Sequence, residues 1–124
     1  MTLQEVLNYF ETNYPGSNVV KVPENNPLEL LCEIDPSSKH PQYSVAVAAI
    51  SLSRPHYHNL SVEEYEVISG ALMVDVGGVV KTLYEHEKIS IPIRKVHSAT
   101  SIEGYALVKV TSQPGWTLQD HIEV

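Results

Sequence analysis

The stretch "RPHYHNLSVEEYEVISG", residues 54–70, sets two histidines two positions apart, follows them with three glutamates and closes on a glycine. On a β-strand, residues i and i+2 share a face, so an extended segment makes His56 and His58 converge. Four residues separate His58 from Glu63, enough chain to turn and enter a neighbouring strand. From there the Glu63 carboxylate can face the same point across the ladder. A fourth group stands in "KISIPIRKVHSATS" (88–101), where His97 follows a proline-bearing turn and opens a new strand-like run. Imidazole nitrogens and carboxylate oxygens bind a transition metal at about 2 Å. Three imidazoles and one carboxylate suit a divalent Zn, Mn, Fe, Co or Ni ion, or Cu, and leave positions open for water or substrate. An HxH pair by itself also occurs on the polar face of ordinary strands. The joint spacing of four donors is what makes His56, His58, Glu63 and His97 a candidate metal site.

The rest of the chain is consistent with one compact domain. Its 124 residues suit one domain with its own core. A hydrophobic content of 43% places it among folded globular proteins. The formal net charge of −7, with no cluster of cations, argues against a nucleic-acid partner, which would need such a cluster to displace counterions. The longest apolar run, "YSVAVAAISL" (Tyr43–Leu52), is about half the length of a membrane-spanning helix, so no membrane partner is expected. The start "MTLQEVLNYF" lacks the charged and unbroken apolar regions of a signal peptide. Cys32 is the single cysteine, which excludes an internal disulfide and CxxC motifs. These features together predict a cytoplasmic protein.

Leu3, Val6, Leu7 and Phe10 recur at helical spacing behind Thr2, with Glu5 placed for a capping box, and predict one short helix ending near Tyr14. Pro23, Pro27, Pro36 and Pro41 break the following segment, so strands there are expected to be short or at an edge. From Tyr43 onward, short runs rich in Val, Ile, Leu and Tyr alternate with turn residues, the signature of an all-β sandwich or barrel. Gly77-Gly78 in "DVGGVV" reads as a two-residue hairpin turn. The division expected is a helix and covering segment over 1–42, a barrel core over 43–111 and a tail over 112–124.

The order of these residues resembles the cupin superfamily. Its first motif runs HxH, three or four residues, Glu, six residues, Gly, and His56, His58, Glu63 and Gly70 fall on that spacing. Pro92 and His97 match the proline and the ligand histidine of the second motif. The resemblance covers residues from about 42 to 111. Ile50, His86 and Arg94 stand where the family pattern has glycine, and Ser101 where it has asparagine. The resemblance implies a jelly-roll barrel with the metal inside it. It also implies a homodimer, the common state of cupins of this size.

Several other residues attract attention around this core. The only two arginines, Arg54 and Arg94, each lie beside a ligand segment, and guanidinium forks bind carboxylate and phosphate. They are candidate binders of an anionic small-molecule substrate, with a rim salt bridge as the alternative. Arg54 shares a face with His56 provided that Pro55 does not interrupt the alternation. Tyr65 shares parity with Glu63 and is expected to point inward, as a substrate contact or a catalytic candidate. Lys109 is the other catalytic candidate, its facing undetermined without a pairing register. Tyr57 and Glu64 are expected to face out, His86 to sit in a loop, and His40 and His121 to be solvated. Cys32 is expected to be a small buried apolar residue.

Resemblance to small isomerase-like cupins implies an isomerase or epimerase acting on a sugar or sugar phosphate, the metal polarising a carbonyl. The alternatives are an iron-dependent dioxygenase and a module that binds a small ligand without turning it over.

Overall fold

The computed structural model describes all 124 residues. The predicted helix forms over Leu3–Asn13 (α1), with the Thr2 hydroxyl accepting from the Glu5 backbone N–H at 3.2 Å and the Glu5 carboxylate accepting from Thr2 N at 2.9 Å. This reciprocal cap satisfies two of the donors that every helix start leaves unpaired. Val6 and Phe10 form its buried stripe and pack on Leu30, Cys32, Val47, Ala49 and Leu107. Burial of the Phe10 ring alone contributes about 2–3 kcal/mol. No helix is long and apolar enough to cross a membrane.

Eleven strands make two antiparallel sheets. The first has six strands: β1 (Val19–Val22), β2 (Glu29–Asp35), β3 (Ser44–Ile50), β10 (Ala106–Gln113), β5 (Val62–Ser69) and β8 (Lys88–Ile91), adjacent in that order. The second has five: β11 (Ile122–Glu123), β4 (Leu52–Tyr57), β9 (His97–Ser101), β6 (Leu72–Val76) and β7 (Val79–Leu83). The crossovers of sequence between the sheets give the jelly-roll layout. Strand alternation sorts the side chains: Ala48, Ile50, Tyr65, Val67, Val108 and Val110 of one sheet meet Leu72, Val74, Leu83 and Ala99 of the other in the central core. The opposite face of the six-stranded sheet carries α1. Gly77 and Gly78, at φ of 59° and 93°, make the β6–β7 hairpin as expected from the sequence.

One expectation is corrected here. Residues 29–35 are neither a short strand nor an edge, because β2 lies between β1 and β3 and pairs with both. The prolines bracket this segment without entering it, so its N–H groups remain free to bond on both sides. The supposed cover is therefore part of the barrel wall, and Glu29, Leu31 and Glu33 border its interior.

Candidate metal centre

Two strands of the second sheet and one of the first bring the four predicted donors together. His56 lies on β4 directly opposite His97, the first residue of β9. His58 follows β4 by one residue, and Glu63 projects from β5. Glu63 therefore reaches the histidines across the barrel interior and not along a shared ladder, since β4 and β5 belong to different sheets. One ligand atom from each of the four residues lies within 4.8 Å of all the others, and every one of these residues is buried. Glu63 Oε1 stands 3.0 Å from His58 Nε2 and 3.3 Å from His97 Nε2.

The backbone decides which imidazole nitrogen is available. Nδ1 of His56 lies 2.6 Å from the Arg54 carbonyl, Nδ1 of His58 lies 2.9 Å from the Asp120 carbonyl, and Nδ1 of His97 lies 2.9 Å from the Lys95 carbonyl. A carbonyl only accepts, so each Nδ1 carries the proton and donates it. A neutral ring then presents Nε2 as a bare lone pair. The Nε2 atoms of His58 and His97 and the Oε1 atom of Glu63 are all buried without a hydrogen-bond partner of good geometry. Lone pairs facing one another in a dry interior are costly unless a cation or an added proton sits among them. The donor set thus fits a divalent transition metal.

No family model matches the sequence, and no curated protein matches it. Solved structures do match. KdgF from Halomonas sp. superposes with a TM-score of 0.67 at 18% identity, over 78% of this chain and 87% of its own. Pac13, a nucleoside dehydratase whose Streptomyces form has also been solved with uridine, gives 0.70 at 15%, over 86% of this chain and 85% of that one. An RmlC-like cupin from Shewanella frigidimarina gives 0.68 at 14%, over 82% and 86%. The chain has the cupin fold.

Within this cupin fold the electrostatics favour a cation. Burial, followed by the neighbouring His97, lowers the His56 pKa to about 3, so that ring stays neutral. Burial would raise Glu63, but the close approach of His58 and His97 outweighs it and holds the carboxyl well below its usual range. Burial would also lower His58; the contacts with Glu63 and Asp120 outweigh it and raise that ring overall. A carboxylate held ionised among imidazoles is a ready ligand.

Two of the family departures have a local explanation. His86 and Arg94 adopt φ of 71° and 60°, the left-handed region for which glycine is the usual residue. The Arg94 N–H donates to the His58 carbonyl at 2.6 Å, which ties the β8–β9 turn to the ligand segment.

The substrate-site candidates separate. Tyr65 is buried and lines a cavity of about 50 Å³ that also touches His56, Glu63 and Ser112. Burial, then Glu63 and Glu29, push its hydroxyl well above the usual value, so it keeps its proton. Arg54, Arg94 and Lys109 are exposed and do not border that cavity. For Arg54 the reason is a bulge: one extra residue enters β4 between Ser53 and His56 and reverses the parity. Lys109 sits on β10 between Val108 and Val110, both core residues, and so faces outward. Glu64 faces out and His86 is exposed, as expected, while Tyr57 is half-buried. Cys32 is fully buried under α1.

His121 overturns its expectation of solvation. Its ring stacks on His56 with centroids 4.1 Å apart and borders the cavity. The preceding residue, Asp120, is buried, and its carboxylate accepts from the N–H groups of Asn59, Leu60 and Ser61 at 2.9, 3.1 and 3.2 Å. Nothing in the local sequence of the tail marks either role, because both depend on β11 pairing with β4.

Glu29 is the other residue that sequence reading missed. It is 8% exposed, borders the same cavity, and burial followed by the Glu63 charge raises its pKa from 4.5 to about 7. The folded state therefore binds the proton more tightly than the unfolded chain. Its contribution to stability is fully present below about pH 4.5 and is lost as pH rises through about 7, on the order of 3 kcal/mol in all. His56 and His121, whose values are lowered, act in the opposite sense. The difference between Glu29→Gln and the native protein isolates Glu29. In metal-free protein that difference is expected to be near zero at pH 4 and to favour the variant increasingly toward pH 8, by denaturant titration. A difference independent of pH would contradict the burial account.

Proposed function

We propose that the chain is a divalent-metal enzyme that shifts a proton between carbons of a neutral hydroxy-carbonyl compound, the isomerase or epimerase class that acts on sugars. The observation that carries this reading is the wall of the cavity beside the four donors: it holds carboxyl and hydroxyl groups and no lysine or arginine. Carboxylates and hydroxyls accept and donate to sugar hydroxyls. A phosphate would bring a dianion against Glu29, Glu33 and Glu63 with no guanidinium or ammonium to meet it. A neutral sugar therefore suits the site better than a sugar phosphate.

His56, His58, Glu63 and His97 hold the metal in this reading. When bound, it supplies Lewis-acid polarisation of the substrate carbonyl. Tyr65, which retains its proton, donates a hydrogen bond to a substrate oxygen, and Trp116 at the cavity margin offers an apolar face to the carbon skeleton. The barrel walls exclude bulk water and so strengthen each of these contacts.

The test is exchange of carbon-bound hydrogen. Protein reconstituted separately with Zn, Mn, Co or Ni is incubated in D2O with aldoses and ketoses, and deuterium beside the carbonyl is followed by NMR. Exchange is expected with at least one metal. Its absence for every metal and sugar would overturn the proposal. The same donors suit iron(II), which favours a second reading in oxygen chemistry. About one iron per chain in tag-free protein, with oxygen uptake and no carbon exchange, would establish it.

A homodimer accords with the edge of the second sheet. Strand β7 has no partner on its outer side and leaves Val79 and Val80 exposed, at 72% and 56%. Such an edge is a template for a second chain. Light scattering is expected to return the mass of two chains, and a mass of one would refute the dimer.

A further inference from the structure

We infer that Glu29 is the residue that takes a proton from the substrate carbon and returns it, and that the substrate enters in open-chain form; this rests on the isomerase reading above. Proton transfer at carbon needs a base within reach of the reacting atom that is not already engaged. Glu63 is engaged with two imidazoles, Tyr65 holds its proton, and Lys109 lies outside the barrel. Glu29 is the one buried carboxyl of the cavity wall outside the four-donor cluster, and no cation pairs with it. Glu33, on the same face of β2, is only half-buried.

The groups facing Glu29 are Glu63 and Tyr65 from β5, His58 at the end of β4 and the buried Ser53 hydroxyl on β4. Burial and Glu63 raise its pKa to about 7, while Ser53 and His58 act against them.

Cavity size speaks to the form of the substrate. About 50 Å³ accommodates three or four waters, or the carbonyl end of an extended chain, but no sugar ring. An outer groove of about 310 Å³ adjoins it, sharing Glu33, Pro36, Ser37 and Trp116 and likewise lacking lysine and arginine. The rest of an open-chain sugar fits there. In the step itself, the Glu29 carboxylate removes the proton from the carbon beside the carbonyl. The C–H electron pair becomes the new C=C bond, and the carbonyl π pair moves to oxygen. Return of the proton from Glu29 to the neighbouring carbon, as the adjacent hydroxyl proton passes to the former carbonyl oxygen, yields the isomer. No other reactant is consumed.

The experiment uses zinc-loaded native protein and Glu29→Gln at about pH 8, with equal metal content confirmed first. Glycolohydroxamate, which mimics the enediolate and binds a metal as its anion, is titrated calorimetrically in two buffers of different ionisation enthalpy. The native protein is expected to release almost no proton, because Glu29 captures it, and the variant about one per ligand bound. In parallel, deuterium exchange into dihydroxyacetone and erythrulose is expected to fall about 100- to 10,000-fold in the variant and to recover in part in Glu29→Asp. Equal proton release or equal exchange in the two proteins would overturn the assignment of Glu29 while leaving the isomerase reading in place. Neither binding nor exchange by the native protein would remove that reading, and this inference with it. Exchange with pyranose-locked sugars as fast as with open-chain ones would refute the open-chain form.

Discussion

His97→Ala is expected to empty the metal centre, lowering occupancy from about one ion per chain to a small fraction. The imidazole supplies one of four donors, and its Nε2 lone pair has no role in the fold, being buried without a hydrogen-bond partner. Loss of an outer-shell partner alone costs about 10- to 100-fold in metal affinity, so loss of a donor should exceed that. The barrel itself should survive, since the core of twelve side chains does not include this histidine. The measurement is metal content by mass spectrometry beside far-ultraviolet circular dichroism, with His86→Ala as the comparison. His86 is exposed and its loss should change neither reading. Unaltered occupancy in His97→Ala would remove it from the ligand set.

Asp120→Ala is the second large effect, and it acts from the far end of the chain. Its carboxylate holds three backbone N–H groups of the 59–61 loop, and its own carbonyl receives the His58 Nδ1 proton. The substitution leaves those donors without an acceptor in a site that is buried at Ser61 and part-buried at Asn59 and Leu60, at a cost of about 1–3 kcal/mol for each group that water cannot reach. A total loss near 3 kcal/mol is expected by denaturant titration. Metal affinity should fall about 10- to 100-fold as well, because the loop that carries His58 loses its anchor. A purely structural Asp120 would lower stability and leave the affinity of the surviving folded protein unchanged, and that pair of results would refute the positioning role.

His56, His58 and Glu63 are legible because their spacing is local, whereas His97 joins them only through the pairing of β9 with β4 and is legible in the sequence through the family motif. An HxH pair on a strand shares a face wherever the strand lies, and a turn of four residues brings Glu63 into reach. Helix α1 was legible for the same reason, through Thr2, Glu5 and a stripe at helical spacing. Arg54 shows where such reasoning stops. Its parity depended on whether Pro55 interrupts β4, and the bulge that turns it outward is a property of pairing with β9. Lys109 could not be placed until β10 had a register. Glu29 and His121 left no mark in their own segments. Glu29 follows two prolines by two and six residues, and His121 stands three residues before Val124.

The sequence by itself determined a β-rich domain with a capped N-terminal helix, and His56, His58 and Glu63 at the spacing of a metal site, because alternation, capping and turn length act within a few residues; His97 is added by the pairing of β9 with β4. Only the tertiary structure decided what surrounds those donors: an acidic and hydroxylic cavity without a cation, a carboxyl on β2, and a C-terminal tail that holds His58 in place. The physical reason is that burial and facing are properties of two sheets meeting. Glu29 acquires its raised pKa, and His121 its stacking partner, only when strands more than twenty residues apart close the barrel around them.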